Sequence, residues 1–547
     1  MPPPCELLDD LMEPTEQIQP GIPDFFRGKK IFITGATGFM GKVLVEKLLR
    51  SCPELGTLYL LMRPKRGVQP EQRLNELLQS KFFARLRAER GEEAIASQIR
   101  VVEGDVSRLG LAISNPLRKE LCKNVNIVFH VAATVRFDEP LRNAVLLNTR
   151  GTRELLALAK EMTNLKALVH VSTLFANCHH DHVLEEVYPT NAEPEKLISC
   201  AEWMDDAWLN LLCPVLTEER PNTYVYTKSL AEKLVSEASK TLPVAIFRPS
   251  IVMSTLQEPT PSWVDNLNGP SVVVLSGGNG MLKKMLCHEE KVAHVVPADL
   301  AINAMITLAW YLAICKPSEC TVYNFTPPDG FGPTWQRFVH NIQRFYRQMP
   351  FSACTSVPTL ELCKSKVSVK LSSVYLMMWA YLADLVNVVM GQKKRFARLQ
   401  DKVNAAINSL TYFTTNQWTC DTENVTRMLS SLSPIDHKNF NFDLRKIPWD
   451  DYIFEYGVGI RQHIMKDELA TVPSARKRVK WIRWAQTAMS FVFLAILVHF
   501  LASSYIYPLE HVVTSRLQSE SSATNSVVTS SSVFTANNDN LLLSSII

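Results

Sequence analysis

Short apolar runs alternate with amphipathic helical patterns from Lys29 to about Arg248. Several runs are continuously apolar, which is typical of parallel strands covered by helices on both faces. The segments between them, such as residues 71–90, carry apolar residues at helical spacing. The pattern therefore predicts an α/β fold with a doubly wound parallel sheet. The predicted strands are residues 31–34, 57–62, 100–103, 126–131, 167–171 and 244–248.

The rest of the chain divides by composition into further segments. Residues 1–28 are predicted to be an irregular arm, and residues 29–370 a single α/β domain. Its later part is punctuated by Pro and Gly and is expected to supply a substrate cap. Residues 371–468 are rich in Leu, Val and Met and predict a second, helical domain.

Residues 484–506 contain no Lys, Arg, Asp or Glu, and five basic residues precede them between Arg476 and Arg483. At about 1.5 Å per residue this helix would span roughly 35 Å, enough to cross the hydrocarbon core of a bilayer. The flanking aromatic and basic residues predict a transmembrane helix with its basic side in the cytosol. A buried core helix is the alternative. The Ser/Thr-rich tail, residues 507–547, is predicted to be disordered.

Residues 371–390 form a second apolar stretch, but Asp384 lies inside it. Because a carboxylate is costly in lipid, we expect a buried or membrane-grazing helix here and not a membrane span.

Composition excludes several classes of protein. The chain has 547 residues, 46% of them hydrophobic, which excludes a wholly disordered chain. A mean hydropathy of -0.01 excludes a membrane protein with many spans. Net charge is +4, far too small for a dedicated nucleic-acid binder. The 12 cysteines show no metal-ligand spacing and are predicted to be free thiols.

A glycine turn follows the first predicted strand. Gly35, Gly38 and Gly41 are spaced Gly-x-x-Gly-x-x-Gly, and a helix is predicted from about Phe39 to Ser51. Glycines let the backbone approach a pyrophosphate, which binds the free N–H groups at the helix start. At the junction of strand and helix this turn predicts dinucleotide binding, although small residues also serve packing alone. Thr37, Phe39 and Met40 belong to the same turn.

Residues at the ends of the next strands are expected to complete the nucleotide site. After the second strand the chain carries Arg63 and Lys65 where an acidic residue would select NAD. Cationic groups there suit a 2′-phosphate, so we expect NADPH; a solvated basic loop is the alternative. After the third strand Asp105 and Val106 are expected near the adenine. Ala132 and Ala133, after the fourth strand, would let the backbone pass close to the cofactor.

Tyr224 is the one tyrosine, of 14, with a lysine four residues later, at Lys228. This spacing places the phenol and the ammonium on one helix face, although ordinary amphipathic helices show it too. The pair opens the helix between the fifth and sixth strands, and Ser172 and Thr173 follow the fifth strand. With the glycine turn, the set is similar to that of short-chain dehydrogenases/reductases.

The chemistry of such a site explains the residue types. Lys228 is expected to lower the pKa of Tyr224 and to hold the nicotinamide ribose. Tyr224 would donate a proton to the oxygen of the carbonyl that receives hydride, and a hydroxyl from Thr173 or Ser172 would orient that carbonyl. Thr173 is preferred because extended reductases carry their hydroxyl at this position.

Three histidines, His179, His180 and His182, lie close together after the fifth strand. Their crowding does not fit ligands on one helical face, and hydride transfer needs no metal. We therefore expect a polar loop near the site and no metal ion.

Several longer stretches resemble the fatty acyl-CoA reductase family of extended short-chain reductases. The C-terminal stretch 418–468 resembles the male-sterility domain of that family, so the resemblance covers about residues 29–468. The other stretches are IFITGATGFMGKVLVEKLLR (31–50), LLMRPK (60–65), FHVAATVRFDEPLRNAVLLNTRGT (129–152), VHVSTLFAN (169–177), NTYVYTKSLAEKLV (222–235), FRPSIV (247–252) and VVPADLAINAMI (295–306).

The resemblance implies reduction of a long-chain fatty acyl-CoA, through a bound aldehyde, to a primary alcohol with two NADPH. It implies that Tyr224, Lys228 and Thr173 or Ser172 are catalytic. A membrane-bound reductase of a sterol or another lipid carbonyl is the alternative enzyme, and a catalytically silent acyl-CoA-binding scaffold the alternative of another class. We expect a single-pass protein of the endoplasmic reticulum or peroxisome with its catalytic domain in the cytosol. The expected partners are acyl-CoA and membrane lipid.

Overall fold

A computed structural model describes residues 18–528, and its strands are short and mostly buried. The strands are β1 (Ile31–Thr34), β2 (Leu58–Met62), β3 (Ile99–Glu103), β4 (Ile127–His130), β5 (Ala167–Val171), β6 (His182–Val183), β7 (Val244–Pro249), β8 (Ile251–Val252), β9 (Lys284–Leu286), β10 (Val295–Val296), β11 (Thr321–Phe325), β12 (Glu361–Cys363) and β13 (Thr419–Cys420).

Helices fill most of the remaining chain. The α-helices are α1 (Ile22–Phe26), α2 (Phe39–Ser51), α3 (Pro70–Leu78), α4 (Ala84–Arg90), α5 (Glu92–Gln98), α6 (Asn115–Asn124), α7 (Leu141–Ala144), α8 (Gly151–Lys160), α9 (Pro194–Trp203), α10 (Asp206–Thr217), α11 (Thr223–Ala238), α12 (Pro270–Gly278), α13 (Ala298–Cys315), α14 (Trp335–Gln348), α15 (Lys366–Val389), α16 (Phe396–Thr415), α17 (Glu423–Ser430), α18 (Pro434–Asn439), α19 (Trp449–Gly459) and α20 (Val472–Val528).

Seven strands form one parallel sheet in the order β3-β2-β1-β4-β5-β7-β11. The order reverses between β1 and β4, which pair with Ile31 opposite Ile127. Apolar side chains on the two faces of the sheet belong to two separate core clusters, one on each side. The predicted doubly wound parallel sheet is therefore confirmed, and ligands of such sheets bind where the strand order reverses.

The sequence located six of the seven strands of this sheet. It missed β11 (Thr321–Phe325), which pairs with β7 from a region where Pro and Gly obscured the pattern. The helical segment expected over residues 71–90 is broken, because a 3₁₀ turn at Lys81–Phe83 separates α3 from α4.

Within residues 18–528, three helices are long and apolar enough to cross a membrane. For Ala298–Cys315 the apolar window is 83% buried in the protein, so α13 is a core helix packed against β5 and β7. In contrast, α15 (Lys366–Val389) is only 6% buried over its window. Of the two alternatives expected at 371–390, the buried helix is therefore wrong, and the membrane-grazing helix stays a prediction. The third, Leu469–Ser503, includes most of the predicted transmembrane segment.

The chain forms two compact units that divide between Val479 and Lys480. In the first, α1 (Ile22–Phe26) ties part of the predicted N-terminal arm to the core, because Ile22 is buried and its N–H donates to Asp436. In the second, α20 continues to Val528, so residues 507–528 are helical where composition predicted disorder. Residues 1–17 and 529–547 of the predicted arm and tail lie outside the described residues.

Candidate active site

The glycine turn lies where the order of the sheet reverses. Gly35 follows β1 with φ +77°, and a Cβ there would come within 2.7 Å of the Ala132 backbone nitrogen. A Cβ on Gly41 would come within 2.1 Å of the Gly35 carbonyl oxygen. Side chains are therefore excluded at both positions, and the turn stays as tight as a dinucleotide requires.

The start of α2 is open to an anion. Gly38 is its N-cap residue, and among the described side chains none caps the helix. The first N–H groups of α2 therefore remain available to a pyrophosphate, to which the helix dipole adds attraction. A glycine cradle next to an uncapped helix start fits a nicotinamide dinucleotide.

A cavity of about 510 Å³ joins this turn to the end of β5. It contains most of the predicted site residues, from the nucleotide turn to the catalytic helix. Those residues are Gly35, Thr37, Gly38, Phe39, Met40, Gly41, Ala133, Ser172, Thr173, Tyr224 and Lys228.

The predicted catalytic pair, Tyr224 and Lys228, lies at the start of α11 (Thr223–Ala238). The Asn222 side chain caps this helix by accepting from the Val225 N–H at 3.0 Å. Lys228 is buried one turn below Tyr224, and its Nζ donates to the Val171 carbonyl at 2.7 Å. That bond holds the ammonium at the end of β5, beside the nucleotide turn.

The two groups of the pair have opposite pKa shifts. Burial raises the pKa of Tyr224 to about 12, while its hydrogen bond with Thr173 acts to lower it. Burial lowers the pKa of Lys228 to about 8, and Glu232 opposes that shift. The phenol therefore stays protonated at neutral pH, and the group that acts to lower its pKa is Thr173 and not Lys228.

Thr173 and Ser172 follow β5 but serve different partners. Thr173 bonds to Tyr224 and accepts from the Phe175 N–H at 3.3 Å. Ser172 instead donates to Glu232 at 2.5 Å. Of the two hydroxyls, the one next to the phenol is that of Thr173.

Glu232 and Arg248 form a buried ion pair beneath the catalytic helix. Their side chains are 1% and 0% exposed, and Arg248 Nη2 lies 2.7 Å from Glu232 Oε2. Glu232 also accepts from Asn177 at 3.3 Å, and Arg248 donates to the Leu184 and Glu186 carbonyls. The pair joins α11, β7 and the loop after β5. Sequence reasoning did not identify it, although Glu232 is four residues beyond Lys228.

The other predicted nucleotide residues lie at the ends of β2, β3 and β4. Arg63 and Asp105 face each other with Nη1 and Oδ2 3.4 Å apart. Burial alone would raise the pKa of Asp105, but bonds from Ser107 and the charge of Arg63 lower it. The two predicted residues therefore pair with each other at this edge.

Arg73 on α3 was missed by sequence reasoning. Its Nη2 donates to Thr37 Oγ1 at 3.4 Å, and its Nη1 donates to the Arg63 carbonyl. A cation thus bridges the glycine turn and the end of β2. Arg73 lies ten residues beyond Arg63 in the sequence, and the fold of the intervening loop brings its side chain to the end of β2.

The remaining predicted nucleotide residues have mixed placements. Lys65 is exposed and lies in a tight turn with Val68. Ala132 donates its N–H to Thr34 Oγ1 at 3.3 Å and packs against the glycine turn. The Val106 side chain is buried against Gly151 and lies in the core.

The far end of the cavity is apolar and comes from segments that follow the sheet. Phe413 on α16 lies 5.4 Å from Phe137, whose ring lies 6.0 Å from Tyr224. The helical C-terminal segment therefore completes the site, which sequence patterns did not indicate. The apolar wall includes Val273, Met285, Trp335, Phe338, Val339 and Leu410.

The histidine-rich loop connects the sheet to the C-terminal segment. His182 forms hydrogen bonds with Thr419 at 2.7 Å and Asp421 at 3.0 Å. Within residues 18–528 no group of three or more His, Cys, Asp and Glu side chains is arranged to hold a metal ion.

Comparison with known proteins identifies related sequences. A family model described as male sterility protein matches residues 33–305, and a second with the same description matches residues 375–467. Fatty acyl-CoA reductase 1 of Gallus gallus is 40% identical over 473 residues, which are 84% of this chain and 90% of that protein. Fatty acyl-CoA reductase 2 of Bos taurus is 38% identical over 463 residues, with the same coverage.

Solved structures share the fold at lower identity. The reductase domain of a nonribosomal peptide synthetase from Mycobacterium tuberculosis gives a TM-score of 0.53 at 17% identity, covering 84% of this chain and 96% of that one. The terminal R domain from the myxalamid pathway gives 0.52 at 20% identity, covering 83% and 94%. Both likenesses concern the fold alone.

Proposed function

This chain belongs to the fatty acyl-CoA reductase family, and from that premise we propose how its residues reduce a fatty acyl-CoA to a primary alcohol. The activity itself follows from the 40% identity with a fatty acyl-CoA reductase over 84% of the chain. The observation that carries the assignment of residues is the single cavity in which the glycine turn, Thr173, Tyr224 and Lys228 meet.

The glycine turn and the uncapped start of α2 would hold NADPH, which would supply the hydride to the carbonyl carbon. Tyr224 protonates the oxygen of the thioester carbonyl, and the hydroxyl of Thr173 orients both groups. The hydroxyl proton of the resulting hemithioacetal returns to Tyr224 as the CoA thiolate leaves and takes a proton from water, which leaves an aldehyde. After oxidised NADP⁺ is exchanged for a second NADPH, a second hydride would reach the aldehyde carbon while Tyr224 protonates its oxygen, giving the alcohol. Lys228 holds the nicotinamide ribose from its place at the end of β5.

No cysteine nucleophile takes part in this scheme. Cys178 lies in the loop after β5, and burial raises the pKa of its thiol to about 12. A thiol of that kind is inert at neutral pH, so the thioester is reduced directly and not through an acyl-enzyme.

Replacing Tyr224 by Phe tests directly whether this residue is the proton donor. We expect Tyr224→Phe to lower kcat with palmitoyl-CoA by roughly 100- to 10,000-fold, since the proton donor is lost, while NADPH affinity is retained. The measurement is NADPH oxidation together with gas chromatography of the alcohol.

The matched control lies two residues away on the same helix. The Tyr226 hydroxyl is buried and has no hydrogen-bond partner among the described residues. Tyr226→Phe therefore removes an unused hydroxyl, and its activity should equal that of the unchanged protein. Full turnover by Tyr224→Phe would contradict the assignment.

We further propose that the nucleotide is NADPH and not NADH. Arg63, Lys65 and Arg73 surround the end of β2, where the ribose 2′-position of a dinucleotide lies. Two of these cations are already fixed, Arg63 by Asp105 and Arg73 by Thr37. Three cations lie around the end of β2 against one nearby carboxylate, that of Asp105 on Arg63, and this excess of positive charge favours a 2′-phosphate.

Arg73→Ala should raise KM for NADPH roughly tenfold, because one charge-assisted phosphate contact is lost, and leave KM for NADH unchanged. Arg66→Ala is the control, since Arg66 is exposed in the same loop. Steady-state kinetics with both nucleotides make the comparison. A parallel rise of both KM values would refute the role in selectivity.

Apolar helices in the chain indicate membrane association. We propose that residues 484–506 form the one span, with Arg476–Arg483 and the catalytic unit in the cytosol of cells, on the endoplasmic reticulum or the peroxisome. Trp481 and Trp484 are 72% and 79% exposed, as residues of a membrane interface are. Digestion of intact organelles by protease, which should remove the catalytic unit, tests the orientation.

A further inference from the structure

Helix α15 (Lys366–Val389) exposes an apolar stripe along its whole length. The stripe consists of large side chains three or four residues apart, so they share one helical face. Their exposed fractions range from 46% to 81%. We call these residues the α15 stripe: Leu371, Val374, Met378, Leu382, Leu385 and Val389.

The one acidic residue of α15 faces the other way. Asp384 is buried on the side that packs against α16, together with Leu376 and Ala380. Its carboxylate accepts from the N–H groups of Arg395, Phe396 and Ala397 at 2.8 to 3.0 Å. Asp384 thus caps α16, and the charge that argued against a membrane span is absent from the α15 stripe.

A full membrane span by α15 does not fit the structure. Its neighbour α16 (Phe396–Thr415) runs back along it and ends at the active-site cavity, which Leu410 and Phe413 line. If α15 crossed a bilayer, α16 would have to cross as well. Arg398, Asp401 and Lys402 are exposed on α16, however, and three charges on a lipid-facing surface are costly.

The charges around α15 complement an anionic lipid surface. Lys366 and Lys370 are exposed at its start, and Lys393, Lys394 and Arg395 are exposed directly after its end. Asp384 is the only acidic residue from position 362 to 400. Aromatic side chains, which favour the membrane interface, are exposed on the same helix at Tyr375 and Trp379.

We propose that α15 lies in the plane of an anionic membrane surface with the α15 stripe in the acyl region and its basic ends at the headgroups. This contact is separate from the span proposed at residues 484–506. The purpose of this contact, to bring an acyl chain to the site, rests on the proposed function. Because α16 joins α15 to the cavity, an acyl chain at the membrane is brought near the apolar wall of the site.

Photochemical labelling of the full chain tests this contact. A benzophenone amino acid replaces Leu382 in the α15 stripe or, as control, Leu109, which is 64% exposed on the sheet domain. Each protein is reconstituted in vesicles of phosphatidylcholine and phosphatidylserine and irradiated. Mass spectrometry of the peptides should find lipid attached at position 382 and none at position 109.

A charge variant tests the headgroup contact. Lys393→Glu with Lys394→Glu, in the protein labelled at position 382, should lower lipid attachment at least roughly fivefold in the anionic vesicles. NADPH affinity should be unchanged, because neither lysine lies near the nucleotide turn. An unchanged yield of attachment would contradict the role of the basic end.

Two outcomes would overturn the proposal: equal lipid attachment at positions 382 and 109, or attachment of position 382 to a second copy of the chain. Flotation of the vesicles and NADPH oxidation with palmitoyl-CoA are measured on the same samples. Loss of flotation would count against the span at 484–506, and absence of oxidation against the proposed function. Both results differ from the one that would overturn the proposal, in which the protein floats with the vesicles and oxidises NADPH but carries no lipid at position 382.

Discussion

Glu232 interacts both with the loop after β5 and with Lys228 of the predicted catalytic pair. Its carboxylate accepts hydrogen bonds from the Ser172 hydroxyl and the Arg248 guanidinium. Glu232 lies one helical turn beyond Lys228. Its negative charge also acts to raise the pKa of Lys228 against the effect of burial. We therefore propose that Glu232 is a positioning residue, which favours the charged form of Lys228 and holds the loop after β5 through Ser172 and Asn177.

Other groups around Lys228 do not supply that charge balance. Burial lowers the pKa of His130 to about 3 and that of His170 well below its usual value, so both are neutral near pH 7. Arg248 is a cation that Glu232 neutralises. Removing the carboxylate therefore leaves Lys228 near an unbalanced positive charge.

We expect Glu232→Gln to shift the alkaline limb of the kcat profile to lower pH by roughly one unit, because Lys228 then loses its proton more easily. A folded-state pKa near 8 places this limb just above neutral pH in the unchanged protein. The profile is measured from pH 6 to pH 9 with saturating NADPH and palmitoyl-CoA.

Ser172→Ala is the control for this experiment. It removes a hydrogen bond from the same carboxylate but no charge, so the limb should stay in place even where stability falls. A purely structural role for Glu232 would lower the melting temperature of Glu232→Gln and leave its pH profile unchanged.

Residue spacing identified side chains that the structure places in one cavity, but not the residues that support them. The Tyr224–Lys228 pair and the glycine turn are local patterns, and both lie in the cavity. Arg73 and Arg248 meet their partners only through the fold, at sequence separations of 36 and 16 residues. A single sequence holds no signal for such contacts, because each arginine also fits an ordinary exposed or paired position.

At the scale of elements, α16 joins the C-terminal segment to the catalytic site. It carries Asp384's hydrogen-bonding partners at its start and Phe413 and Leu410 at its end. Phe413 also contacts Phe175 at 5.0 Å, so the helix packs against the loop that presents Thr173. We therefore expect this helix to influence the length of the acyl chain that fits the cavity.

Leu410→Trp should narrow the apolar end of the cavity. Exclusion of two or three methylenes, at about 0.8 kcal/mol each, should raise KM for palmitoyl-CoA by roughly 30-fold, with a smaller effect on octanoyl-CoA. NADPH affinity should not change. Steady-state kinetics across a series of acyl-CoA lengths measure the shift.

Ala405→Trp provides the comparison, because Ala405 is exposed on the same helix. It adds the same indole outside the cavity and should leave the preference for chain length intact. If both variants alter that preference equally, the wall formed by Leu410 is not what limits the acyl chain.

The sequence predicted elements best where the hydrophobic pattern was regular. Parallel strands buried on both faces read as continuous apolar runs, so β1 and β5 were located to the residue. β11 was missed in a region with many Pro and Gly residues, and its Thr-Val-Tyr-Asn-Phe sequence also carries a buried Asn324, which accepts from Arg248 on β7 and donates to the Val183 carbonyl on β6. Polar residues that are satisfied by distant partners break the pattern on which such predictions depend.

At the scale of the whole molecule, a buried network joins the sheet domain to the segments that cover it. Glu258, in the loop after β8, lies 2.5 Å from Lys47 Nζ and 3.1 Å from Arg50 Nη1, both on α2. Lys47 also donates to the Asn439 carbonyl at 2.6 Å. Three segments far apart in sequence thus meet around one carboxylate.

The pKa of Glu258 fixes how this network responds to acid. Burial would raise it, but Lys47 and Arg50 lower the pKa from 4.5 to about 2. A carboxyl with a depressed folded-state pKa stabilises the fold above its unfolded pKa. That stabilisation is progressively lost as the pH falls from about 4.5 toward about 2.

Glu258→Gln should therefore lower the free energy of unfolding at pH 7 by about 2 kcal/mol. The difference should shrink as the pH falls toward 3, because the unchanged protein loses the stabilisation by Glu258 there. The measurement is the melting temperature of the full chain in detergent between pH 3 and pH 7. Asp138→Asn, which removes an exposed ion pair with Arg136, should change the melting temperature little at any pH. A pH-independent difference between Glu258→Gln and the unchanged protein would mean that the network stabilises by packing and not by charge.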